Sequence, residues 1–142
     1  MLAAARNQPV CRRLMSVPRV GPLTALTFCS AVDDPSRFTR SRAVGTHFGL
    51  TPRRYQSGET DRTGHISKQG DALARQALYE AANVLLTRTQ RWSALKVWGM
   101  AVAKRAGMRR AKVALARKLA VVLHRMWRDG TEFRWSREVA VV

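Results

Sequence analysis

Three stretches in the second half of the chain repeat apolar residues at helical spacing. From Asp71 onward, Ala74, Ala77, Leu78, Ala81, Ala82, Leu85 and Leu86 recur at intervals of three and four, which places them on one helix face. Asp71, following Gly70, is a good N-cap. Leu95, Trp98 and Val102 predict a second helix that stops near Gly107. A third is expected from about Arg109 to Asp129. Its apolar side carries Val113, Ala116, Leu119, Ala120, Leu123 and Trp127, and Gly130 follows as a stop.

The first half is built of shorter pieces. Val10, Leu14 and Val17 can share one face of a short helix. A second helix is expected from Pro22, whose missing N–H costs nothing in a first turn, with Leu23, Ala25, Leu26 and Cys29 as its apolar residues. A third short helix follows, with Ser41 placed to cap it and Gly49 to end it in a left-handed conformation. Residues 50–70 then hold Pro52, Gly58, Gly64 and Gly70 among polar side chains. They read as a loop, or a loop around a short hairpin, longer than connections usually are. The tail, residues 131–142, reads as a short strand or as disordered. The expected fold class is mainly α: a helix-hairpin-helix-like start, a polar loop, then a helical bundle.

Charge narrows the partner. The 142 residues carry 26 Lys and Arg against 9 Asp and Glu, a net charge of +17. Such a chain repels itself unless counter-charge is near, and a polyphosphate supplies it most densely. DNA or RNA is therefore the leading partner, ahead of an anionic membrane surface. Most of the cations are Arg, whose fork suits phosphate. No apolar run is long enough to span a bilayer, and the first residues lack the continuous apolar stretch of a secretory signal. With two cysteines at no metal spacing, Cys11 and Cys29, a cytoplasmic location is expected.

The segment "PRVGP", residues 18–22, lies between two helices, which is the pattern of a helix-hairpin-helix. That motif aims backbone N–H groups around Gly21 at a DNA phosphate without reading sequence. The usual hairpin has two glycines flanking an apolar residue; Arg19 occupies the first of these positions. A plain packing corner accounts for the same residues equally well.

Metal chemistry finds little support. His47, His65 and His124 are scattered, and Glu59, Asp61 and Asp71 read as solvated loop acids, so no metal site is expected. The polar loop offers a hydroxyl nucleophile instead. Ser57 lies between Gln56 and Gly58, and Gly58 lets the backbone bend to present it. Arg53, Arg54, Arg62 and Lys68 are close in sequence and could neutralise a phosphoryl group under attack. A serine attacking a DNA phosphodiester would give a phosphoserine link that conserves bond energy for rejoining. Tyr55 could do the same chemistry, and His65 is a weak candidate for the base. Composition alone leaves Ser57 an ordinary loop serine.

A resemblance changes that balance. "VGPLTA" at residues 20–25, "RF" at 37–38, "GLTP" at 49–52, "QSG" at 56–58, "ISKQG" at 66–70 and the helix ending "YEAA" stand in order, and "KVALARKLAVVLHRMWRDG" follows near the end. Together these resemble the C-terminal domain of the IS-one-ten and IS-one-sixteen group of insertion-sequence transposases, the bridge-RNA-guided serine recombinases. Each motif is weak alone; their order and spacing are specific.

The resemblance covers roughly residues 14–130. It implies an N-terminal remnant or linker over residues 1–13, a serine-bearing transposase domain over 14–130 and a tail over 131–142. It also implies that Ser57 is the nucleophile that links to DNA. Gly21, Arg53, Arg54, Arg62 and Lys68 are then the DNA-binding residues. The family's other half is an RNase-H-like domain with four metal-binding acids. On that basis the chain is expected to be a partial transposase, inactive alone, with no cofactor of its own and Mg²⁺ held only by the acidic domain. The implied partners are DNA, a guide RNA, a separate RNase-H-like domain and further copies of the chain, and no membrane. The rival expectation is a non-catalytic basic nucleic-acid-binding protein, including a ribosome-associated one.

Overall fold

The computed structural model describes residues 8–50, 52–57, 60–66 and 71–135, with the two short central runs described through their backbone pairing. Helix α1 (Pro9–Leu14) and helix α2 (Pro22–Val32) are joined by a tight connection. A single 3-10 turn (Pro35–Arg37) and a short α3 (Arg42–His47) follow. Strands β1 (Pro52–Ser57) and β2 (Thr60–Ile66) form an antiparallel hairpin. Helices α4 (Ala72–Thr87), α5 (Ala94–Ala106) and α6 (Met108–Asp129) complete the order. The mainly α class expected from the sequence is what forms. The polar loop is organised as the short hairpin.

Helix α6 is the spine. Ala111, Leu115, Ala116, Leu119, Ala120, Leu123 and Met126 are buried along one side of it, at the spacing of an amphipathic helix. That side packs on α3, α4 and α5, with α1 against it as well. Helix α4 contributes Ala74, Leu78, Ala81, Ala82, Leu85 and Leu86. The small residues of this set let the backbones approach. At Gly99 of α5, an added Cβ would stand 2.7 Å from Leu86 Cδ2 and 3.3 Å from Leu115 Cδ2, so the backbone of α5 rests directly on leucine side chains of α4 and α6 there, and a larger residue would have to displace them. The Asp71 carboxylate caps α4 through the Ala74 N–H at 2.9 Å. Gly130 ends α6 in the left-handed conformation (φ 69°, ψ 32°).

A six-residue helix is not stable by itself. Helix α3 persists because Val44, Phe48 and Leu50 are fully buried around it and because Gly45 lets it sit against the aliphatic stem of Arg117, whose Cγ would lie 2.8 Å from a Cβ at that position. Gly49 (φ 71°) ends it as expected, and Leu50 N–H donates to the Gly45 carbonyl at 2.9 Å.

Ser41 departs from expectation. Its side chain makes no cap bond to α3. Its hydroxyl lies instead 2.7 Å from Nδ1 of His124, which is fully buried on α6. The Nε2 of His124 is 2.8 Å from the Pro35 carbonyl. A carbonyl only accepts, so Nε2 carries the proton and Nδ1 accepts from the Ser41 hydroxyl. The turn that presents Pro35 is itself held by Asp34, whose carboxylate accepts from Ser36 N–H and Oγ–H at 2.9 and 2.8 Å. Those bonds, the backbone one first, keep its carboxyl below the ordinary value. One imidazole thus fastens α6 to the two segments that lead into the hairpin.

Replacing His124 with Leu keeps the site filled but orphans the Ser41 hydroxyl and the Pro35 carbonyl. His124→Leu should lower stability by about 2–5 kcal/mol, and Ser41→Ala by about 1–2 kcal/mol, because the second orphans only the imidazole nitrogen. Urea unfolding of both variants, with the double variant to measure their coupling, checks this.

Candidate nucleic-acid interface

Both roots of the hairpin are fixed by the core. On the entering side, Phe48 and Leu50 are buried. On the returning side, Asp71 caps α4, and Arg75 Nη1 in the first turn of α4 donates to the Phe48 carbonyl at 3.3 Å. The described residues before and after the hairpin are thus tied to each other. From there the ladder begins with Pro52 opposite Ile66 and continues through Arg54–Thr63, Tyr55–Arg62 and Gln56–Asp61 to Ser57–Thr60. Between the first two pairs one residue, Arg53, faces two, Gly64 and His65. Such a bulge bends a ribbon and strengthens its twist.

Ser57, expected in a loop, is the last paired residue of β1, and only positions 58 and 59 separate it from its partner Thr60. The backbone of Arg54 and Arg62 lies within the same ladder, and Tyr55 is paired with Arg62. The hairpin thereby gathers Ser57, Arg53, Arg54 and Arg62 into one two-stranded element. Gly58 and Lys68 lie outside the described residues.

The corner between α1 and α2 is ordered by an unexpected feature. Arg19, which stands where the motif has a glycine, adopts φ 68°. The left-handed backbone that a glycine would provide is thus kept at the cost of a strained arginine. Its side chain is also used: Nε donates to Thr89 Oγ1 at 2.8 Å and Nη2 to the Arg88 carbonyl at 3.3 Å, which docks the corner on the end of α4. Gly21 is the N-cap of α2, in an extended conformation (φ -93°, ψ -173°), with no side chain capping the helix. A Cβ at position 21 would meet nothing within 4 Å. The first-turn amides of α2 have no intrahelical acceptor.

The cations are distributed in a way that sequence reasoning passed over. Residues 81–128 contain twelve Lys and Arg and not one Asp or Glu. At the bend from α5 to α6, Lys104, Arg105, Arg109 and Arg110 are exposed, and none has an ion-pair partner among the described residues. Arg128 pairs with Asp129 at 2.9 Å. The signal was the length of the acid-free run, which a tally of total charge hides.

Other chemistry has less to stand on. Among the described residues, no three His, Cys, Asp or Glu side chains come together as a metal site. Cys11 and Cys29, isolated in sequence, face each other across α1 and α2 with their sulfurs 3.6 Å apart. Burial, with the Cys11 sulfur adding to it, pushes the Cys29 thiol up to about 12. It is neutral at physiological pH and a poor nucleophile. No helix among the described residues is long and apolar enough to cross a membrane.

Comparison with known proteins agrees with the arrangement. The family described as "Transposase IS116/IS110/IS902 family" matches residues 11–98, a span that includes the α1–α2 corner and the whole hairpin. The transposase for insertion sequence element IS1111A of Coxiella burnetii is 38% identical over 122 residues, which is 85% of this chain and 34% of that protein. The transposase for insertion sequence element IS1328 of Yersinia enterocolitica is 32% identical over 128 residues, 89% of this chain and 38% of that protein. The chain spans about a third of the length of these curated relatives. With the family matched over more than half of the sequence, the chain belongs to the IS116/IS110/IS902 family of transposases.

Proposed function

We propose that this chain is the DNA-binding, serine-bearing C-terminal part of a transposase that acts in DNA transposition and recombination. The observation that carries the reading is the family match across residues 11–98, within which "QSG" falls at the end of β1. In the proposed step, the Ser57 oxygen forms a bond to the phosphorus of a DNA phosphodiester. The bond from that phosphorus to one deoxyribose oxygen breaks, and the freed sugar hydroxyl takes up the proton that the serine gives up. Arg53, Arg54, Arg62 and Lys68 offset the charge that builds on the phosphoryl oxygens. The reaction runs in reverse on the rejoining strand, because the phosphoserine ester keeps the energy of the broken bond.

DNA is held mainly through phosphates. The acid-free run of residues 81–128 supports this, and so does the open space around Gly21. In this reading the α1–α2 corner works as a helix-hairpin-helix, with amides near Gly21 on a phosphate. The protein acts in the cytoplasm, as part of a multimer, with a guide RNA and an RNase-H-like domain that supplies the acids for Mg²⁺. Because the acids for Mg²⁺ belong to that domain in this reading, the chain alone should not exchange strands.

The nucleophile is tested in a complex reconstituted with the acidic domain, guide RNA and DNA. Wild type should leave a DNA strand covalently bound, and the bond should be lost in alkali as phosphoserine is. Ser57→Ala should abolish the adduct while DNA binding stays within a few-fold, since one hydroxyl adds little to a many-phosphate interface. Tyr55→Phe should keep it. An alkali-stable adduct, or one formed by Ser57→Ala, assigns the chemistry elsewhere. No adduct from any form, with DNA binding intact, leaves a basic binding protein.

Binding itself should weaken steeply with salt. A plot of log affinity against log salt should fall by about 0.9 for each phosphate neutralised. Filter binding across a salt series measures it, and a flat response contradicts the phosphate interface. In the same assay Gly21→Val should weaken binding several-fold. The backbone there is extended and the space open, so helix content by circular dichroism should not change. Unaltered affinity would reduce the corner to a packing element.

A further inference from the structure

The connection between α4 and α5, residues 88–93, is short, polar and held with unusual thoroughness. Thr89 Oγ1 donates to the Val84 carbonyl at 3.2 Å and accepts from Arg19 at 2.8 Å. The Thr89 carbonyl accepts from Nζ of Lys96, an ammonium only 8% exposed. Ser93 caps α5 through the Lys96 N–H at 3.2 Å. Ala94 N–H donates to the Trp135 carbonyl at 3.1 Å. Burying an ammonium costs stability that its bonds only partly return. This segment is therefore rigid by construction.

What the rigid segment carries is an exposed tryptophan. Trp92 is 58% exposed, whereas Trp98, Trp127 and Trp135 are all half-buried. Lys96 Nζ lies over the Trp92 ring, 4.3 Å from its centroid. Because Lys96 is buried, the ring face above it is the inner one. The exposed area is then the outer face and edge. Arg88 and Arg91, four residues and one residue earlier in the same connection, are exposed, and Arg91 stacks on the Trp135 ring at 3.6 Å. A wide apolar ring fixed in place, with one face open and cations around it, fits a nucleobase that is free to unstack. Stacking recognises every base, and the cations suit the phosphates on either side of it.

We propose that the outer face of Trp92, in a connection that also exposes Arg88 and Arg91, is a stacking site for an unpaired base of a nucleic-acid strand. The chemistry is shared by a DNA strand opened during exchange and by a loop of RNA. The proposal rests on the nucleic-acid function above and goes beyond it, because a phosphate interface alone does not distinguish paired from unpaired strands. Charge complementarity selects this occupant: Trp92 sits in the stretch with twelve cations and no carboxylate.

The test uses the full chain with three probes: single-stranded oligothymidylate, oligouridylate of equal length, and a DNA duplex. Trp92→Ala should weaken single-strand binding by roughly 5- to 150-fold, the range expected for one lost stacking contact. Duplex binding should stay within twofold with the same salt slope. Trp92→Phe should keep most of the single-strand affinity. A preference for thymidylate over uridylate, or the reverse, identifies the strand type. Independently of the alanine variant's folding, single-stranded probe should protect part of the wild-type tryptophan fluorescence from iodide quenching, and Trp92→Phe should lose that protected part. Equal loss on single strand and duplex, no loss on either, or a change of oligomeric state on sedimentation in place of a binding change overturns the proposal. Failure of the wild type to bind even duplex would instead remove the functional reading on which it rests.

Discussion

Everything in this molecule is arranged around the burial of one face of α6. Five alanine and leucine positions at its centre, Ala111 to Ala120, are fully buried and bring α3, α4 and α5 onto a single 22-residue axis. Apolar burial of this kind is the dominant favourable contribution to folding, but it is not directional. Direction comes from His124. Its two ring nitrogens are both engaged, one by Ser41 and one by the Pro35 carbonyl, so α3 and the turn before it have a single register on α6. A buried polar pair of this sort specifies position more than it adds stability.

That register has a functional consequence. The hairpin begins four residues beyond Phe48, and the Phe48 carbonyl is bonded to Arg75 of α4. Where α3 sits thus decides where the hairpin is rooted. The paired backbone then carries the ordering outward as far as Ser57 and Thr60. Backbone at the end of a ladder is better constrained than in a loop of twenty residues, and the serine attack proposed here would depend on such positioning. In the proposed mechanism, His124 would act only through position, by fixing Ser41 and the Pro35 turn on α6.

The basic residues divide into two groups by what surrounds them. Lys96, which is buried, and Arg19, which is exposed, both bind groups of the fold itself, closing the end of α4 and bracing the connection to α5. Lys104, Arg105, Arg109 and Arg110 stand in solvent with no carboxylate to pair with among the described residues. The first group explains why the connection carrying Trp92 is stiff. The second is the physical ground for proposing a polyanionic partner. Net charge counts both alike and separates neither.

Much of the helical order was legible in the chain. The three- and four-residue spacing of the α4 and α6 apolar positions, the Asp71 cap, Pro22 at a first turn and the stops at Gly49 and Gly130 are local rules, so sequence alone decided them. The order of the motifs likewise sufficed to recognise the family. Three features were settled only by packing over long separations. Ser41 left its capping role because His124, 83 positions away, offers a buried acceptor. Cys11 and Cys29 met because α1 lies across α2. Arg19 could hold a glycine's backbone conformation because Thr89 and Arg88, some 70 residues on, bind its side chain. Local sequence fixes which elements form, since their periodicity and caps lie within a few residues. Which polar groups find partners is decided by the fold, because a buried hydrogen bond joins atoms whose nearness no local pattern encodes.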